Sequence, residues 1–302
     1  MEKIVFTCKT ITPLVMNGAY GDYPELRPPG IKASLRFWWR ALHGHLSIED
    51  EKNQDGSIRN KGLRTLEGEI FGSTTSRSKI LIRVDQSIQT NPIRTSLLPH
   101  KGGSPAAAFE PNSEFKIRLD CERNQKEMLK NLFILACTLG GWGKRSRRGF
   151  GSIIIEEIYI NGVKDEGFTM PQNTGDIYEL LPKNYFDHSA GVITSKFGKD
   201  ENYPYLKSIQ IGNSQKSTTD IGRFTHDVMS EREPQKLNYK YVLGAGSPRF
   251  ASPIVVSNLG NGLPIVTTLK RVSPRIIKRD EERGAITDTQ LQTEFKKLLL
   301  DQ

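Results

Sequence analysis

The chain has 302 residues, of which 36% are hydrophobic and 25% charged, with a formal net charge of +9. This composition predicts a soluble globular protein of about two domains, and its cationic excess favours a polyanionic partner without naming one. No run approaches the roughly 18 uninterrupted apolar residues of a bilayer span, and the N-terminal segment lacks the apolar stretch of a signal peptide, so a cytoplasmic location with no membrane contact is expected.

Ile4, Phe6 and Cys8 alternate with Val5, Thr7 and Lys9, which is the period of a half-buried strand. A Gly/Pro-rich loop over about 12–30 ends in Pro28-Pro29-Gly30, a sequence suited to starting a helix, and the pattern carries that helix over about 31–46. Residues 47–61 are polar and charged, a surface insertion whose composition suits disorder. Segments 79–85 and 113–121 alternate like strands about a Gly/Pro/Ala-containing stretch near 101–111, which predicts a long, elaborated hairpin.

Apolar residues at three-to-four spacing from Met128 to Leu139 mark a second amphipathic helix over 125–139, stopped by Gly140-Gly141, and 152–160 is a β-branched strand. The order β-α-β-β-α-β is that of a ferredoxin-like, or RRM-like, unit, an antiparallel sheet with two helices on one face. A boundary is expected near residue 165. Beyond it, strands over 206–211, 253–257 and 264–269 and helices over 218–229 and 291–300 suggest a second, degenerate unit of the same kind. The expected fold is therefore α+β, with ferredoxin-like domains over 1–165 and 166–302.

Two constellations carry chemistry. On the first helix, Ile31, Leu35, Trp38, Leu42 and Leu46 form the packing stripe, while Lys32, Arg36, Arg40 and His43 share another face and no acidic residue lies between Leu26 and Ile48. A solvated helix face usually mixes both signs, so this one suits phosphate better than water alone. The helix N-terminus adds partial positive charge at the same end. Trp38 reads as core, and Trp39, at the border of the two faces, stays open between core and RNA contact.

The second constellation is the loop from Gly140 to Ser152, with Gly141, Gly143, Gly149 and Gly151 interleaved with Lys144, Arg145, Arg147 and Arg148. Glycines let a backbone approach an anion closely, arginine forks pair with phosphate, and Trp142 and Phe150 have the rings to stack on bases. The Gly-x-x-x-x-Gly-Lys-Ser/Thr nucleotide loop is absent. Cys8, Cys121 and Cys137 lack metal or disulfide spacing and read as structural thiols, so no metal or cofactor is implied.

The segment from Glu25 to Leu42 (ELRPPGIKASLRFWWRAL), Ile70-Phe-Gly-Ser73 and the Gly140–Ser152 loop resemble the RAMP superfamily of CRISPR proteins. The first motif resembles in particular the first-numbered subunit of the type III-B (Cmr) effector complex. The likeness covers mainly the first ~160 residues. It implies two ferredoxin-like domains, guide and target RNA as partners near the guide 3′ end, neighbouring RAMP subunits, and target cleavage assigned to a different subunit. Carried over, Arg27, Lys32, Arg36, Trp39 and Arg40 would line the RNA surface together with Lys144, Arg145, Arg147 and Arg148.

Two other readings stay open at this point. Some RAMP relatives cut guide precursors without metal by means of a histidine near the Gly-rich loop, and His43 and His45 are the histidines near the expected RNA face. A third reading is an interaction subunit whose basic surfaces meet acidic protein neighbours. The RNA-binding reading requires the cations of helix and loop to meet in one groove.

Overall fold

The computed structural model describes residues 1–19, 21–85, 92–98, 103–197, 203–230, 251–270 and 289–301. In chain order the elements are β1 (Glu2–Thr10), α1 (Pro28–Leu42), β2 (Glu51–Lys52), β3 (Ile58–Asn60), α2 (Leu63–Phe71), β4 (Leu81–Asp85), β5 (Ile93–Leu98) and β6 (Gly103–Ala108). Next come β7 (Glu114–Cys121), α3 (Lys126–Leu139), β8 (Ile153–Ile160), β9 (Val163–Lys164), α4 (Thr174–Glu179), β10 (Phe186–Ser189) and β11 (Val192–Ser195). The described chain closes with β12 (Leu206–Ile211), α5 (Thr218–Ser230), β13 (Ile254–Asn258), β14 (Pro264–Leu269) and α6 (Thr289–Leu300). Among the described residues no helix is long and apolar enough to cross a membrane.

The first sheet has the order β4-β7-β1-β8-β9 and is antiparallel throughout. β1 sits at its centre because its alternation survives intact. Ile4, Phe6 and Cys8 are fully buried and stand opposite Leu119, Ile117 and Phe115 of β7. On that face lie α1 and α3, with the Phe6 and Phe133 rings stacked at a 3.9 Å centroid separation. The path β1-α1-β4-β7-α3-β8 thus follows the expected βαββαβ order.

The second sheet has the order β10-β11-β12-β14-β13. Its β12-α5-β13-β14-α6 path repeats the βαββα order with which the first unit begins, and β11 lies beside β12 with β10 at the edge. Every residue of β13 and β14 is buried, so these strands lack the polar alternation of β1. One face carries Ile254, Val256 and Val266 toward Ile221, Phe295 and Leu299 of α5 and α6, and the other turns Val255 and Ile265 toward the core of the first sheet. Helix α3 is consequently buried from Leu132 to Leu139, with Ser257 donating to the Thr138 carbonyl at 2.6 Å. The apolar core runs without a break across residue 165.

Two expectations are corrected and a third is filled in. The 47–61 insertion is not disordered: it holds the β2–β3 hairpin, closed by Asn53 N–H to the Ser57 carbonyl and tied to the start of α2 by Gly62 N–H to Asp50 at 2.6 Å. Helix α1 ends at Leu42 and not near Leu46, because the Tyr203 hydroxyl bonds the carbonyls of both His43 and Leu46, and Phe197 and Tyr205 crowd Gly44. The expected hairpin between β4 and β7 contains a separate two-stranded ribbon, β5–β6, while 86–91 and 99–102 lie outside the described residues.

Candidate nucleic-acid interface

The Gly-rich loop leaves α3 at Gly140 and returns into β8 by folding onto the strap that follows β1. Lys144 N–H donates to the Val15 carbonyl at 2.7 Å, Gly151 N–H to that of Pro13 at 3.0 Å, and Trp142 N–H closes the loop on the Gly151 carbonyl at 2.9 Å. Two glycines are forced by this packing. Gly143 and Gly151 have φ of +82° and +65°, and a Cβ on either would stand 2.3 Å from the Val15 oxygen or 2.1 Å from the Trp142 oxygen. The glycines therefore admit the chain's own backbone. Close approach of phosphate to Gly141, Gly143, Gly149 and Gly151 is not what their positions require.

The loop divides at Ser146. Lys144 and Arg145 are exposed, whereas Arg147 is half-buried and Arg148 is buried. Arg148 lies along β13, where its guanidinium donates to Ser252 Oγ at 3.0 Å and the Ile254 carbonyl at 3.2 Å, 5.3 Å from the Phe295 ring. Arg147 donates to the Ser252 carbonyl and sits 4.9 Å from the Phe37 ring. Burial lowers the guanidinium pKa to about 9 for Arg148 and about 10 for Arg147, and both remain charged at neutral pH. Two of the four expected phosphate contacts thus hold the loop to the second sheet.

The aromatic expectations are also corrected. Trp142 packs edge-on to Phe133 and near Phe115, and Phe150 lies with Val15 and Ala108, so both rings are core and neither is presented to a base. Trp39, left open from sequence, is 3% exposed between Phe71 and His43. The Trp38 stripe is confirmed, its side chain 2% exposed. A sequence pattern gives no sign of which loop aromatics fold inward, because the residues that cover them lie far along the chain.

On α1 the basic face meets an acid that the sequence did not reveal. Glu67 of α2, with only 6% of its side chain exposed, accepts from Arg40 at 2.8 Å and from Arg36 through the same oxygen. It lies roughly 30 residues downstream in an unanticipated helix, beyond any i,i+4 pattern. Lys32 is half-buried, its pKa lowered by burial and by the neighbouring Arg36 charge. His43 stacks on Trp39 with ring centroids 4.1 Å apart and places Nδ1 2.6 Å from the Trp39 carbonyl, and burial outweighs that bond to lower its pKa from 6.5.

Nor do the helix and loop cations share one groove. The face of α1 turned to the loop carries Gly30, Ser34, Phe37 and Trp38. At about 100° per residue, Lys32, Arg36, Arg40 and His43 lie on the opposite side of α1. The helix start offers no free donor either: Pro28 and Pro29 have none, and the N–H groups of Gly30 and Ile31 both bond the Arg27 carbonyl. What does assemble is a smaller set. Exposed Arg27 places its N–H on Met16 Sδ and exposed Lys144 its N–H on the Val15 carbonyl, so their backbones meet adjoining residues of one strap, with exposed Arg145 next to Lys144 in the chain.

A family model of the RAMP superfamily matches residues 7–154. Over residues 7–154 the chain is a RAMP-superfamily sequence. The chain is 27% identical over 268 residues to the CRISPR system Cmr subunit Cmr1-1 of Pyrococcus furiosus, covering 81% of its own length and 76% of that protein. Among solved structures it resembles apo Cmr1 from Pyrococcus furiosus with a TM-score of 0.58 and 20% identity, over 91% of this chain and 90% of that one. A chain of the type III-B Cmr-beta complex, solved with cognate target RNA and AMPPnP, aligns over 98% of both chains with a TM-score of 0.59 and 10% identity. Likeness at these identities speaks for the fold.

Proposed function

We propose that the protein is a non-catalytic RNA-binding subunit of a cytoplasmic type III-B CRISPR effector complex, built of two ferredoxin-like units divided near residue 165. It engages guide or target RNA near the guide 3′ end beside other RAMP subunits. The similarity to Cmr1-1 supports the assembly, and the exposed Arg27, Lys144 and Arg145 around the 15–17 strap support the RNA contact. The cations of α1 and the loop do not meet in the one groove that the sequence reading requires, so the reading is carried by this smaller set, three exposed cations with no carboxylate partner among the described residues.

The test is filter binding of single-stranded RNA across a salt series. Replacing Arg27, Lys144 and Arg145 together by alanine should make the log–log salt slope shallower by about 2, since each lost contact to single-stranded RNA removes roughly 0.7. An unchanged slope and affinity would instead favour docking to acidic protein neighbours. The ribonuclease reading gains no support from His43, which lies on the side of α1 away from the Gly-rich loop.

A further inference from the structure

Between α1 and the Gly-rich loop lies a cavity of about 230 Å³, separate from the exposed cations but beside them. Among the described residues its walls come from Gly30, Ser34, Phe37 and Trp38 on one side and Gly140 to Gly143, Ser146 and Arg147 on the other, with Val255 also lining it. Trp38 and Trp142 are themselves core, so what a base could meet is Phe37 with the Arg147 guanidinium over it and the hydroxyls of Ser34 and Ser146, residue types with which proteins hold an unstacked base. Arg147 already sits over the Phe37 ring, held there by the Ser252 carbonyl, so this wall is set before any ligand arrives. The volume is below the range of pockets that take whole drug-sized ligands, and suits one planar base better than a whole nucleotide chain.

We propose that this cavity receives a single nucleobase, turned out of the RNA strand whose phosphates track along Arg27, Lys144 and Arg145. The idea rests on the RNA-binding reading above and adds to it that one base is engaged through its ring. Exposed phosphate contacts alone distinguish no bases and would be indifferent to the base being missing. A base in the cavity makes the strand's affinity depend on the ring itself.

Gly30 gives a direct way to close the cavity. It lines the cavity from within α1, has no positive φ, and a Cβ there would touch only the Met16 side chain, at 3.4 Å. Leucine in its place fills space and removes a helical glycine, and because the Met16 thioether it meets also accepts the Arg27 N–H, binding to the abasic strand reports whether Arg27 has been disturbed.

The experiment compares the full chain's affinity for a 12-nucleotide oligouridylate with that for a backbone-matched 12-mer carrying stable abasic residues throughout. The wild type should bind oligouridylate about 5- to 150-fold more tightly, the range of one stacked base. Gly30→Leu should reduce oligouridylate binding to the abasic level and leave abasic binding within twofold. Ser34→Leu, one turn along, should do the same and serves if Gly30→Leu melts early. Equal wild-type affinity for both strands overturns the base site and leaves the RNA-binding reading standing. Failure to bind either strand overturns both.

Discussion

The two halves of the Gly-rich loop carry the same residue types and meet opposite fates. Lys144 and Arg145 stand in solvent, while Arg147 and Arg148, two residues on, run against β13 and take the carbonyls of Ser252 and Ile254. Composition cannot separate them, because a guanidinium serves phosphate oxygens and peptide oxygens with the same fork of donors. What separates them is a strand more than 100 residues later in the chain. This dense basic loop is therefore part exposed surface and part internal fastening.

Arg148→Ala should give the largest effect and test that division most severely. Removing a buried cation from Ser252 and Ile254 should cost about 3 kcal/mol of stability in urea unfolding, with RNA affinity of the folded protein changed less than twofold. A stable Arg148→Ala protein that has lost RNA binding would erase the contrast between the halves. Glu67→Ala comes next, at about 1–2 kcal/mol, because Arg36 and Arg40 are each over a third exposed and can turn to water. Its RNA affinity should hold within twofold; a marked rise would mean that the far face of α1 also meets RNA.

Lys144→Ala should leave stability within about 0.5 kcal/mol and weaken RNA binding about two- to fivefold, the mirror image of Arg148→Ala. The smallest effect concerns pH. The His43 pKa is lowered in the folded chain, so the unfolded chain binds more protons just below 6.5 and stability falls as pH drops through that window. Thermal melts should show His43→Gln flattening this acid-side loss. An unaltered pH profile in that variant would show that the imidazole is not held neutral.

Much of the first unit was legible because its pattern is local. The alternation in Ile4, Phe6 and Cys8 and the helical spacing from Met128 to Leu139 are each set by one buried face, and β1 and α3 follow them closely. Elements shaped by distant partners were harder to read. Helix α2 was missed and α1 stopped early because Tyr203 arrives from the other half, whereas β13 and β14, although buried throughout, lie where the sequence placed strands. The site shows the same limit. Arg27, Lys144 and Arg145 are exposed, but Glu67 and the inward turn of Arg147 to Phe150 depend on contacts that no window of sequence contains.

β13 ends its sheet, and the loop lies along it in parallel, with Arg148 opposite Val256, Gly149 N–H on the Val256 carbonyl and Val256 N–H on that of Arg147. Those bonds occupy main-chain groups that an uncovered border strand would offer to a second molecule. The segment beside the exposed cations is thus also a guard against strand-to-strand stacking between copies. Variants that loosen it should betray themselves first as soluble aggregates in a sizing column.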